Sequence, residues 1–168
     1  MHIEVTQDQK QKYKEEGMVV IHDLIPEDLF AHIKTLSTGK NHFQRDRTLL
    51  RALTNRNVGQ MLHQLTGERP IRLVLSEVIN QGLVDYKRVP FQGLLVAIVI
   101  PFSENRSSIF AVNTDFNVEE KSIIALYGVN ETLLVHSDKR ADLLKMYRER
   151  GYDIGDKLRS IDSPFVYR

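Results

Sequence analysis

Cysteine does not occur in the 168 residues, which excludes disulfides, thiolate zinc sites and a cysteine nucleophile. The same absence suits a reducing compartment, and a cytoplasmic location is expected. A surplus of one charge is also missing. Lys+Arg number 23 against Asp+Glu 22, too few unbalanced cations to neutralise a row of phosphates, so nucleic acid is not an expected partner. The longest apolar run, GLLVAIVIPF at residues 93–102, falls far short of the roughly 20 residues that span a bilayer. The opening MHIEVTQDQKQKYKEEG is polar and lacks the apolar centre of a signal peptide, and no membrane association is expected. Neither GxGxxG, GxxxxGK[ST] nor GxSxG is found, which sets aside the common nucleotide-binding and serine-hydrolase chemistries.

What is present is an ordinary globular composition, 42% hydrophobic and 27% charged, at a length that suits one domain. Thr6 and Gln9 have the spacing of a capping box before a polar helix that Gly17 can close. MVVIHDL (residues 18–24) reads as a strand, and Pro26 opens a second helix whose Leu29, Phe30, Ile33 and Leu36 share a face. Leu49, Leu50, Leu53, Met61, Leu62 and Leu65 recur at helical spacing, with a break expected at residues 55–59 and an end at Gly67. From Pro70 the pattern changes to strands: IRLVLSEVI, LLVAIVIPF, SSIFAVN, SIIALYG and ETLLVH, separated by turn formers at residues 80–82, 103–105 and 128–130. Continuous LLVAIVI cannot offer a polar face and is expected to be a central strand buried on both sides. The tail GYDIGDKLRSIDSPFVYR is expected to pack back on the body. Helices followed by strands predict an α+β fold with an antiparallel sheet or barrel-like sandwich. Residues 1–68 are expected to be mainly helical, 69–136 to form the β core, and 137–168 to supply a C-terminal helix and tail.

The one stretch with a metal-ligand spacing is VHSD. His136 and Asp138 are candidate metal ligands, two thirds of a facial triad of two His and one carboxylate. No His follows His136, and the other five (His2, His22, His32, His42 and His63) form no HExxH or His-x-His pair. The competing reading makes Ser137 or Asp138 the N-cap of a helix with Leu143, Leu144 and Tyr147 on its apolar face and Gly151 as its stop, and residue type favours that cap. His22, His32 and His63 read as satisfied, partly exposed side chains. Polar groups at strand ends, NTDF (113–116) and YGVNET (127–132), suit either a site or a turn. Arg69, Arg72, Lys87 and Arg88 can line a pocket for a carboxylate or phosphate, or be solvated.

YKEEGMVVIHDLIPEDLFAHIKTL (residues 13–36) and LHQLTGERPIRL (residues 62–73) resemble the phytanoyl-CoA dioxygenase family, in its opening helix, its Tyr then Gly before a β-branched strand, its second helix, and the helix-Gly-strand entry to its core. The resemblance implies a double-stranded β-helix, the jelly-roll or cupin-like core, wrapped by N-terminal helices. It also implies Fe(II) and 2-oxoglutarate as cofactors of a hydroxylase, held by a His-x-Asp, a distal His and a basic residue. The His-x-Asp would fall near residues 86–93, YKRVPFQG, where this chain has no His. Our leading expectation is therefore a diverged, non-catalytic protein of the oxygenase fold that binds no cofactor and takes a small molecule or a protein partner. The alternatives are an Fe(II)/2-oxoglutarate oxygenase with atypical ligands and a structural or assembly subunit, a homo-oligomer included.

Overall fold

The structure is a computed structural model that describes residues 3–85 and 88–168. Its first helix, α1 (Gln7–Glu16), has the expected capping box, with the Thr6 hydroxyl accepting from Gln9 N and the Gln9 side chain accepting from Thr6 N; Gly17 ends it at φ 70°. β1 (Met18–His22) follows, then α2 (Glu27–Ile33), which buries Leu29, Phe30 and Ile33. The helical pattern after residue 46 is broken at Thr54 and Asn55. The Asn55 side-chain Oδ1 accepts from Val58 N and starts a new helix, so α3 (Arg47–Leu53) and α4 (Arg56–Thr66) are separately capped. Gly59, expected in the break, lies inside α4, where a Cβ would come 2.5 Å from the Val166 carbonyl oxygen. Its place is set by the C-terminal strand lying against the helix.

The strands are β2 (Gly39–Lys40), β3 (Ile71–Ile79), β4 (Gly82–Val84), β5 (Phe91–Pro101), β6 (Arg106–Ala111), β7 (Phe116–Val118), β8 (Ser122–Leu134) and β9 (Phe165–Tyr167), with α5 (Ala141–Glu149) before the last. Seven form one antiparallel sheet in the order β1-β6-β5-β8-β3-β2, with β9 on β3, while β4 and β7 pair separately. SIIALYG and ETLLVH, read as two strands, are one: β8 stays in the ladder and bulges, the register on β5 passing from Gly128 opposite Leu94 to Leu133 opposite Gln92. β5 is central, between β6 and β8, and from Val96 to Ile100 both of its faces are buried. Val96, Ile98 and Ile100 pack against the helices, and Ala97 and Val99 face the other way, toward β4, β7, α5 and the tail. Among the described residues no helix is long and apolar enough to cross a membrane.

A bulge in β3 sets the second face. Leu73 lies opposite Tyr127 and Leu75 opposite the adjacent Leu126, leaving Val74 as an extra residue. Ile71 and Leu73 face the helices; beyond Val74 the parity reverses, so Leu75 and Ile79 point to the opposite layer and Val78 to the helices. Tyr147 of α5 donates from its hydroxyl to the Val74 carbonyl at 3.0 Å, and Asn41 Oδ1 accepts from Ser76 N at 3.0 Å. The Tyr147 ring is itself packed edge-on against Phe91 and Tyr152. Tyr147→Phe keeps that packing and leaves a buried carbonyl without this donor. It is expected to cost about 1–3 kcal/mol in urea denaturation; an unchanged midpoint would mean the bulge is held by other contacts.

Candidate functional site

Because of the bulge, Leu75, Glu77 and Ile79 of β3 face the second sheet, and with Ile124 and Leu126 of β8 they floor a cavity of about 370 Å³. Its other walls are β4, Asp85, Arg88 and Val89 on the segment that follows, and Lys139 and Arg140 ahead of α5. The volume is that of a small-molecule site. Arg88, Lys139 and Arg140 outnumber Glu77 and Asp85 around it, which gives the wall a small positive excess above an apolar floor.

These charges are placed by specific contacts. Arg140 donates from both terminal nitrogens to Glu77, at 2.6 and 3.3 Å, and from Nε and Nη2 to Asp142, at 3.2 and 3.3 Å. Lys40 Nζ lies 2.8 Å from the same Asp142 carboxylate. Burial alone would raise the Asp142 pKa, but the hydrogen bonds and charges of Arg140 and Lys40 prevail and hold its carboxyl well below the usual range. Burial likewise lowers the Arg140 pKa, and the Glu77 and Asp142 carboxylates reverse this, so it is raised on balance. Arg88 Nε lies 2.8 Å from Asp85, with half of its side chain exposed. Lys139 is exposed and makes no ion pair among the described residues.

The residues singled out from sequence are only partly brought here. His136, Ser137 and Asp138 line a more open depression of about 410 Å³ that shares Asp85, Arg88 and Lys139 with that cavity. His136 Nε2 lies 2.6 Å from Asp138 Oδ1, both side chains being largely exposed. The cap reading of Ser137 or Asp138 needs correction: α5 begins at Ala141 with Arg140 in the N-cap position and no side-chain cap. The reason is tertiary, since Arg140 is anchored to Glu77 across the cavity. Ser137 instead donates from its hydroxyl to the Arg88 carbonyl and accepts from Arg140 N, tying the two walls together. Arg88 is at the cavity; Arg69 is exposed elsewhere, and Lys87 lies outside the described residues. Arg72 is buried and structural, donating to Asn130 Oδ1 of YGVNET and to the Ser163 carbonyl while stacking over Phe165. His32 is paired with Asp46 at 2.6 Å, and His63 stacks on Tyr167. His2 lies outside the described residues.

Sequence reading missed Glu77, Lys139 and Arg140. Glu77 alone carried a signal, a carboxylate inside a largely apolar strand run, IRLVLSEVI, which is costly unless paired.

No protein-family model matches the chain, and no curated protein matches it in sequence. Solved structures do match in fold. SnoN, an epimerase crystallised with Fe3+, alpha ketoglutarate and nogalamycin RO, superposes with a TM-score of 0.75 at 10% identity over 95% of this chain and 98% of its own. The non-heme alpha ketoglutarate dependent carbocyclase SnoK from nogalamycin biosynthesis gives 0.76 at 10% identity, over 95% and 96%. CT296 from Chlamydia trachomatis gives 0.58 at 13% identity, over 76% and 97%. The chain therefore has the fold of non-haem iron, 2-oxoglutarate-dependent enzymes. That fold implies an iron site. Among the described residues no three His, Asp or Glu are grouped to hold a metal. Glu77 is engaged by Arg140 and Asp85 by Arg88.

Arg140→Met would leave Glu77, with 17% of its side chain exposed, facing an apolar floor without its partner. A loss of about 1–3 kcal/mol is expected at neutral pH, less than for a fully buried pair because water reaches both groups. Asp142 has a depressed folded pKa, so its contribution is complete above the ordinary carboxylate value of about 3.9 and is lost as the pH falls below it. The difference between parent and Arg140→Met should accordingly narrow in urea melts below about pH 3.9. A gap that stays constant with pH would separate Asp142 from the Arg140 pairing.

Proposed function

We propose that this chain is an oxygenase-fold protein whose cavity binds a small anionic molecule with an apolar body, and that it does so without an iron centre. The observation that carries the reading is the lining itself: Leu75, Ile79, Ile124 and Leu126 beneath, with Arg88, Lys139 and Arg140 above. Four of the five guanidinium hydrogens of Arg140 point at Glu77 and Asp142, so its task is to hold the wall. Lys139 and Arg88 are the groups with capacity for a carboxylate, phosphate or sulfonate head. The two sheets are read as a double-stranded β-helix whose second sheet is reduced to β4 and β7.

A second reading is an Fe(II)/2-oxoglutarate oxygenase with atypical ligands. The likeness to SnoN and SnoK favours it, and on fold comparison alone it is the better supported of the two. The donor set puts it second here, because among the described residues His136 is the one His lining either depression, and its partner Asp138 is turned to it in solvent.

Octanoate, octyl phosphate, octanol and octylamine form a direct panel for thermal melts. The two anions are expected to raise the melting temperature while the alcohol and amine do not, and Lys139→Glu should abolish the rise. Stabilisation by octanol equal to that by octanoate would remove the anion reading. In a parallel arm, anaerobically purified chain is dialysed with Fe(II) and 2-oxoglutarate. Iron well below one per chain is expected; about one bound iron with 2-oxoglutarate turnover would place the oxygenase reading first.

A further inference from the structure

Positive charge is unevenly spread along this chain. Residues 34–67 carry six lysines and arginines against one carboxylate, Asp46, whereas the whole chain balances at +1, so the remainder is net acidic. Two of the six are engaged: Lys40 is paired with Asp142, and Lys34 lies over the Phe30 ring. The other four, Arg45, Arg47, Arg51 and Arg56, are exposed and have no hydrogen bond or ion pair among the described residues. Asp46, between two of them in sequence, is committed elsewhere. Its Oδ1 accepts from Leu49 N at the start of α3, and its Oδ2 lies 2.6 Å from His32 Nε2. Glu27 and Asp28 belong to α2, which packs on α3, yet neither pairs with any of the four.

The fold gathers these arginines. α3 buries Leu49, Ala52 and Leu53 and turns Arg47, Thr48 and Arg51 outward. Arg47 and Arg51 are thus one turn apart, with roughly 5–6 Å between their Cβ atoms. Arg45 directly follows the short 3-10 helix at residues 42–44 that packs on α3, and Arg56 opens α4 after only Thr54 and Asn55. Like charges one turn apart are unfavourable in the chain alone, and a partner that brings carboxylates reverses the sign.

Residue type and surroundings select the occupant. All four are arginine, whose planar fork takes a carboxylate through two parallel hydrogen bonds and which interfaces favour over lysine. A lipid surface calls for apolar anchors beside the cations, and the exposed large hydrophobics, Leu83, Ile154 and Ile161, lie on β4 and in the C-terminal tail instead. A nucleic-acid strand calls for stacking rings or a longer cationic track, and Phe43, the one Phe, Tyr or Trp of residues 34–67, is buried. A protein segment with carboxylates at every second residue of a strand, or every fourth of a helix, repeats at the spacing of Arg47 and Arg51.

We propose that the outward face of α3, flanked by Arg45 and Arg56, is a docking surface for an acidic segment of another protein, whose Asp or Glu side chains the four arginines take up. The surface is on the helix side of the large sheet, whereas the cavity lies over its other face, so the two can be tested independently.

The probe is a blocked, fluorescent peptide alternating glutamate and alanine, read by anisotropy against the full chain at near-physiological salt. It is compared with a glutamine–alanine peptide, with single-stranded DNA of equal charge, and with vesicles of phosphatidylserine and phosphatidylcholine. Expected are saturable binding of the glutamate peptide, at least about tenfold weaker binding of the glutamine one, and weaker binding of the DNA and the vesicles. Arg47→Glu/Arg51→Glu should weaken the glutamate peptide at least about tenfold. Arg69→Glu/Arg148→Glu makes the same change in net charge at two exposed, unpaired arginines elsewhere, and should alter binding less than about twofold. Both double variants exchange exposed side chains and should melt like the parent. Should Arg47→Glu/Arg51→Glu melt lower, Arg47→Gln/Arg51→Gln removes the charge without reversing it and carries the same expectation. No saturable binding, tighter binding of the DNA or the vesicles, or equal losses in the two double variants would each overturn the proposal. So would self-association by light scattering that Arg47→Glu/Arg51→Glu abolishes, since the occupant would then be a second copy.

Discussion

Val74 is one residue more than the pairing of β3 with β8 requires, and the direction of every side chain beyond it follows from that. Without the extra residue, Leu75, Glu77 and Ile79 would share the helix-facing side with Ile71 and Leu73, and Glu77 would lie among the side chains of α2 to α4. With it, Glu77 faces the second sheet, where Arg140 can reach it, and the segment before α5 is drawn across the cavity. Tyr147, from the helix that segment leads into, closes the loop of dependence by donating to the bulged carbonyl. The bulge, the ion pair and the helix position are thus one cooperative unit. Burial pushes the Tyr147 phenol pKa upward, so it remains a neutral donor.

The regular elements were legible because local chemistry and tertiary packing agree there. The Thr6–Gln9 box, the β1 run, the limits of β3 and the buried centre of β5 all follow from residue type and period. The site was not, for reasons visible in particular residues. IRLVLSEVI offers apolar side chains on both parities, so period alone cannot say where an extra residue enters. Gly128 to Asn130 look like a turn, yet β8 stays in the ladder because a missing Cβ lets the Gly93 carbonyl and the Thr132 hydroxyl approach Gly128. In HSD the residue types for a cap are present, but the helix starts three residues later, where Arg140 is anchored from outside the helix. The carboxylate of Glu77 shows in the sequence, but the distant partner it takes, Arg140, leaves no local trace there.

SnoN and SnoK are non-haem iron enzymes dependent on alpha ketoglutarate. In this chain the cavity over β3 and β8 is walled by an Arg–Glu pair and by further cations; His136 lines the neighbouring depression, while His32 is engaged by Asp46, His63 by Tyr167 and His42 by the Ser37 carbonyl. Fold is shared far more widely than function, and it is the side chains at the site that separate the two readings.

Methyl and side-chain nitrogen NMR during an octanoate titration locates the ligand directly. The account predicts that the methyl signals of Leu75, Ile124 and Leu126 shift together with the side-chain signals of Lys139 and Arg88, with one common dissociation constant. Shifts confined to other surfaces, or none in these residues at saturation, would contradict it.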